Sequence, residues 1–237
     1  TLSPSSAASD VYKRQVKRCA VKRAETIEAD DRPDRGRIKV VPEPRPLPTD
    51  GKGLKEVLEE VLDSNGLPLL IVVNKVSKAV EIYEQLRELA REGLLPEGVD
   101  VLLLHSRLRR GLRNHVEAIL AKKGHRGEPL VLVATQVVEA GLDYDFRTLI
   151  TELCPVDSLV QRVGRIARKP DTEGKALIFL DEKAGEGVYP EPVISRSLKA
   201  VREHEGLVAE ATCDVNAASE LLSEVYTSSL VKELIEK

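Results

Sequence analysis

The chain has 237 residues, 42% of them hydrophobic, with 36 basic against 39 acidic side chains and a net charge of −3. That is enough apolar content for a real core, but aromatics are only 3% and tryptophan is absent, so the core must be aliphatic. The near-balanced charge neither forces nor excludes a local basic face. No apolar run approaches a membrane-spanning length. Cys19, Cys154 and Cys213 lie far apart without a CxxC pair, which predicts reduced thiols, a cytoplasmic setting and no zinc site.

Methionine is missing everywhere, including position 1, so the chain is expected to be a piece of something longer. The first fifteen residues, TLSPSSAASDVYKRQ, are polar and unpatterned and resemble translated sequencing adapter; they are set aside as a non-native or disordered tail. Residues 16–48 predict a linker or the end of a missing first lobe. RIKVV at Arg37–Val41 is a candidate short strand there, and the four prolines from Pro42 to Pro48 form an extended tract. From 49 the pattern sharpens. Leu54–Leu62 carries helical spacing, Leu69–Val73 is a short buried strand, and Ser77–Glu92 is an amphipathic helix. Strand Val99–Leu104, helix Leu108–Lys123, strand Leu130–Ala134, strand Thr148–Thr151, helix Ser158–Arg168 and strand Lys175–Leu180 follow.

Five apolar runs separated by helical patterns predict an α/β fold, a parallel sheet with helices on both faces over 49–183. Residues 184–237 predict extra C-terminal helices around Ile194–Glu203 and Asn216–Glu236, an extension towards a further domain. In such sheets ligands gather at the carboxyl ends of the strands. Asn74, His105, Thr135 and Glu152 each follow a predicted strand directly.

Nucleotide hydrolysis normally needs a GxxxxGK[ST] phosphate cradle, and none is present; GKG at Gly51–Gly53 and GKA at Gly174–Ala176 lack the rest of it. IFLDE at Ile178–Glu182 is better read as a solvated loop than as a magnesium-holding acid pair. This chain alone is not expected to hydrolyse ATP. QRVGRIAR at Gln161–Arg168 nevertheless places Gln161, Arg165 and Arg168 on one face if it is helical. In phosphoryl transfer an arginine can be delivered from a neighbouring domain to the place where negative charge accumulates. Arg165 and Arg168 are therefore candidate fingers, facing the open end of the sheet, with Gly164 leaving room for a nucleotide or a facing backbone. A surface helix whose arginines pair with carboxylates is the alternative. In VATQVVEAGLDYDF, Val133–Phe146, a buried strand runs into Thr135 and Gln136, small polar groups suited to phosphate contacts.

VATQVVEAGLD followed by LITELCPVDSLVQRVGRIAR at Leu149–Arg168 resembles motifs V and VI of superfamily-two helicases. More narrowly, it resembles the helicase half of the CRISPR-associated helicase–nuclease of type I systems. IVVNKVSKA at Ile71–Ala79 and LLLHSRL at Leu102–Leu108 resemble the same family's motif IV and DNA-contacting segment. The resemblance implies the second of two RecA-like domains, with ATP and magnesium held mainly by the missing first lobe. By it, Arg165 and Arg168 are catalytic fingers, while Gln161, Gly141 and Asp143 border the nucleotide. Thr135, Gln136, His105, Ser106, Arg107 and Asn74 contact single-stranded DNA. It also implies an ATP-dependent helicase in CRISPR interference, an RNA-guided surveillance complex as partner, and an HD-type nuclease elsewhere in the parent. His105, His115, His125 and His204 are scattered, so no metal site is expected in this chain. Another superfamily-two motor, acting on RNA or in DNA repair, and a non-catalytic nucleic-acid-binding lobe are the alternatives.

Overall fold

In a computed structural model the described residues are 35–140 and 142–236. They form a six-stranded, wholly parallel sheet in the order β1-β6-β5-β2-β4-β3, a RecA-like α/β architecture. The strands are β1 (Arg37–Glu43), β2 (Leu69–Val72), β3 (Asp100–Leu104), β4 (Leu130–Ala134), β5 (Thr148–Glu152) and β6 (Glu173–Phe179). The helices are α1 (Gly51–Asp63), α2 (Val76–Arg91), α3 (Arg110–Arg126), α4 (Val156–Val163), α5 (Glu191–Glu203), α6 (Glu205–Glu210), α7 (Val215–Val225) and α8 (Ser228–Glu236).

The two-residue alternation of a strand decides which helices cover which face. Leu69, Ile71, Val73, Val131 and Val133 point to the face that α1 and α2 cover with Leu54, Leu58, Ile82 and Leu86. Leu70, Val72, Leu130, Leu132 and Ala134 point the other way, against Leu120 of α3, Leu159 and Val163 of α4, and Ile194 and Leu198 of α5. Both faces of β2, β4 and β5 are buried along their whole length, which is why these strands read as unbroken apolar runs. Helix α1 starts where Asp50 accepts a hydrogen bond from Gly53 N at 2.8 Å.

The structure departs from the sequence pattern in three places. The candidate strand Arg37–Val41 is present, but it runs to Glu43 and belongs to the main sheet rather than to a linker. It pairs along its length with β6 as an edge strand, so the sheet begins well before position 49. Pro42 is tolerated there because an edge strand has one side free of ladder hydrogen bonds. The single helix expected over Asn216–Glu236 is two, α7 and α8, and α6 was not anticipated. Helix α4 ends at Val163 instead of running to Arg168. Ile166 is fully buried and pairs with Phe146 as an isolated parallel bridge, and Ala167 has φ of 48°. Burying Ile166 beside the amino end of β5 draws the chain out of the helix, so tertiary packing overrides the helical spacing. The tail assigned to residues 1–15, and most of 16–36, lie outside the described residues.

Candidate functional site

Because α4 is short, Gln161, Arg165 and Arg168 do not share a helix face. Gln161 is exposed on α4, while Arg165 lies in the turn that ends it and Arg168 just beyond the Ile166 bridge. Nor do the two arginines sit at the carboxyl edge of the sheet. The Arg165 carbonyl accepts from Phe146 N at 3.1 Å, near the amino end of β5. Both side chains reach instead to the segment that carries the chain from the carboxyl end of β4 back to the start of β5. Arg165 is half-buried and donates through Nη1 to Leu142 O at 3.1 Å and through Nη2 to Glu139 O. Its Nε is buried with no partner among the described residues. Burial, and then the neighbouring Arg168 charge, hold the Arg165 guanidinium below the ordinary arginine range. Arg168 keeps 39% of its side chain exposed and pairs at 3.2 Å with Asp143, whose side chain is wholly exposed. Such a pair contributes little and exchanges readily for another anion. Gly141 lies outside the described residues. The atoms nearest a Cβ added at Gly164 are carbonyls of its own last helical turn, Val160 O at 3.1 Å and Gln161 O at 3.2 Å, rather than a facing element.

The carboxyl end of the sheet holds a different constellation, centred on a residue that the motif spacing passed over. Arg162 is completely buried, yet fully partnered. Its Nε donates to Glu139 Oε1 at 2.9 Å, its Nη1 to Thr151 Oγ1 at 2.9 Å, and its Nη2 to Asn74 Oδ1 at 3.0 Å and Tyr189 OH at 3.2 Å. Ser158 Oγ donates to the other Glu139 oxygen at 3.1 Å. Burial works against the Arg162 charge, but the ionisable groups around it, Cys154, Tyr189 and Glu139, lift it above the ordinary arginine range. Burial also raises the Glu139 carboxyl above the usual carboxylate range, although Arg162 acts to lower it. Cys154 is buried here too, and burial pushes its thiol up to about 12, which leaves it chemically inert. The signal for Arg162 was available: Val156, Leu159 and Val163 are buried on the same side of α4, so a charge at 162 falls on the apolar face.

This network changes the expected nucleic-acid contacts. Asn74 is buried and spent internally: its Nδ2 donates to Leu153 O at 2.8 Å and Ala184 O at 3.2 Å, and its backbone N to Glu152 Oε2 at 2.7 Å. Lys78 completes the Glu152 pair at 2.8 Å. Gln136 Nε2 donates to Asn74 O at 3.0 Å and Tyr189 OH at 3.1 Å, so it too is turned inward. Neither residue presents a free donor to a phosphate. Thr135 is 2% exposed at the end of β4, and His105 7% exposed at the end of β3. His105 Nδ1 accepts from Arg107 N at 3.2 Å and so shapes the turn. Burial, and then the Arg107 charge beside it, lower its pKa below the ordinary histidine range. Ser106 and Arg107 stand exposed, with Arg109 and Arg110 exposed beside them at the start of α3. Glu203, His204 and Glu224 come together at the surface, where His204 Nε2 lies 3.0 Å from Glu224 Oε1. No helix among the described residues is long and apolar enough to cross a membrane.

Comparison with known proteins places this arrangement. Residues 65–171 match the family described as CRISPR-associated nuclease/helicase Cas3, C-terminal. The chain is 29% identical over 198 residues, 81% of its length and 23% of the relative's, to the CRISPR-associated nuclease/helicase Cas3 of Methanothermobacter thermautotrophicus. It is 32% identical over 171 residues, 72% of its length and 28% of the relative's, to the CRISPR-associated helicase Cas3 of Thermoproteus tenax. The chain therefore spans about a quarter of these relatives. The crystal structure of T. fusca Cas3–AMPPNP superposes with a TM-score of 0.66 at 24% identity, over 83% of this chain and 24% of that one. At that identity the likeness speaks for the fold.

Proposed function

We propose, from the membership of residues 65–171 in the C-terminal helicase family of Cas3, that this chain is the second motor lobe of an ATP-dependent DNA helicase in CRISPR interference. The observation that carries the proposal is the emergence of Arg165 and Arg168 side by side against the segment between β4 and β5 of a RecA-like lobe, with the Arg168 guanidinium paired to an exposed carboxylate. Two guanidiniums a few residues apart, one solvent-reachable and one with a buried Nε unpartnered among the described residues, fit one wall of a triphosphate pocket. The described residues provide no phosphate cradle, so the nucleotide's other wall would belong to a first lobe.

ATP with its magnesium would supply the terminal phosphoryl group. The chain's own residues supply positive charge and shape. Arg168 leaves Asp143 for a phosphate oxygen, and Arg165 presents a guanidinium already aimed by the Glu139 and Leu142 carbonyls. Gln161, exposed on α4, borders the nucleotide, as does Asp143. Ser106 and Arg107, with Thr135 and His105 behind them, grip the backbone of single-stranded DNA through hydroxyl and cationic contacts that read no base. Asn74 and Gln136 serve the interior network instead. Closing and reopening of two such lobes would move the protein along one strand. In the parent this strand would be handed to an HD-type nuclease, with an RNA-guided surveillance complex delivering the DNA.

Single-strand-stimulated ATP turnover by the full-length protein is the direct test. A full-length protein with an intact cradle in its first lobe that hydrolyses no ATP would leave only a non-catalytic nucleic-acid-binding lobe. The DNA face has its own check. Arg107→Ala is expected to weaken single-strand affinity about 3- to 10-fold, for every sequence alike, and to lower the slope of log K against log[salt] by about 0.7. An unchanged slope in a salt titration would remove Arg107 from the DNA path.

A further inference from the structure

Glu139 is held at both ends by arginines, in two different ways. Its carboxylate is clamped by Arg162 Nε at 2.9 Å and Ser158 Oγ at 3.1 Å, and its side chain is only 13% exposed. Its backbone carbonyl is the acceptor for Arg165 Nη2. Glu139 thus links the side chains of the buried arginine of α4 and the half-buried one beyond it, whose backbones also meet directly through Arg165 N and Arg162 O at 3.0 Å. Arg162 is itself fixed by three other acceptors, Thr151 Oγ1 from β5, Asn74 Oδ1 after β2, and Tyr189 OH. Tyr189 comes from the segment after β6, packs against the apolar core on the α4 face, and also receives Gln136.

We infer that Glu139 is a positioning residue that sets the Arg165 guanidinium for catalysis, and that Arg162 and Tyr189 hold Glu139 in place from behind. A guanidinium pointed at a developing charge helps only if it is aimed before the reaction, because re-aiming it would consume the stabilisation it offers. Among the described residues Arg165 makes no ion pair of its own; it donates to two carbonyls of a segment between β4 and β5 whose described residues form one 3-10 turn. That segment needs an anchor. The Glu139 carboxylate, tied to an arginine that cannot move without breaking bonds to three separate elements, provides it. The inference rests on the motor function proposed above.

Two mild variants of the full-length protein test it. Glu139→Gln keeps the shape and removes the charge, and Tyr189→Phe removes one hydroxyl from behind Arg162. Glu139→Gln is expected to lower kcat for ATP about 10- to 100-fold and Tyr189→Phe about 3- to 10-fold, both with KM for ATP changed less than about 3-fold. In an Arg165→Ala background each should add less than about 2-fold, since the group they position is gone. A merely structural role predicts the reverse, the full loss repeated in the Arg165→Ala background, and that result overturns the inference. Silent variants alongside a crippled Arg165→Ala also overturn it while leaving the motor assignment intact. A fully active Arg165→Ala overturns both. Should Glu139→Gln fail to fold, Tyr189→Phe decides alone.

Discussion

Replacing Arg165 by alanine in the full-length protein is expected to slow ATP turnover by about 10³-fold or more while ATP affinity changes only a few-fold. That factor corresponds to at least roughly 4 kcal/mol of transition-state stabilisation. The split between turnover and affinity follows from the division of labour between lobes. Ground-state contacts to the triphosphate come mostly from the cradle of the first lobe, whereas the finger meets charge that grows only as the phosphoryl group transfers. Arg168→Ala should fall in the same direction. It should fall less if the exposed Asp143 partner reflects a looser approach, for Arg168 lacks the backbone carbonyls that orient Arg165. Turnover and nucleotide binding, measured separately on the two variants, check this. Near wild-type turnover from Arg165→Ala would strip the chain of its finger, and with it the catalytic reading of the lobe.

Arg165 also shows how far the sequence could be followed. Motif spacing singled out Arg165 and Arg168 but drew them on a surface they do not occupy. A helix drawn through Gln161–Arg168 put three side chains on one face, and the real helix stops at Val163 because Ile166 is worth more buried beside Phe146 than exposed on another turn. That preference depends on where β5 lies, which no local pattern encodes. The strands were legible for the opposite reason. Leu69–Val73 and Leu130–Ala134 are apolar on both faces, a property of the residues themselves. Arg37–Glu43 was harder, because only a few apolar residues and a proline mark an edge strand whose partner, β6, is over a hundred residues away. At the site, Ser106 and Arg107 are exposed, whereas Asn74 and Gln136 are turned inward; a polar residue after a strand looks the same whether it faces water or a buried guanidinium.

Arg162 carries the other large effect, on stability. Arg162→Ala is expected to destabilise the chain by about 3–5 kcal/mol, the range for breaking a buried ion pair by removing one partner. For a domain of this size that lowers the melting temperature by roughly 6–20 °C. The loss is more than a missing contact. Glu139 would keep its carboxylate in a buried setting without the cation paired to it, and Thr151 Oγ1, Asn74 Oδ1 and Tyr189 OH would each lose a donor. The effect should depend on pH, with a definite sign. Burial already raises the folded-state pKa of Glu139, and removing Arg162 deletes the main influence that lowers it. A carboxyl with a raised folded pKa binds its proton more tightly folded than unfolded. Stability is therefore gained as pH falls from the raised folded value towards the ordinary carboxylate range, and lost as pH rises through that window. The variant should accordingly lie closest to wild type in mildly acidic buffer and furthest from it at pH 8. Thermal melts of both proteins at the two pH values test this directly. A deficit that stays constant or grows on acidification would mean that Glu139 is not the stranded charge, and that Arg162 stabilises the lobe through its neutral acceptors alone.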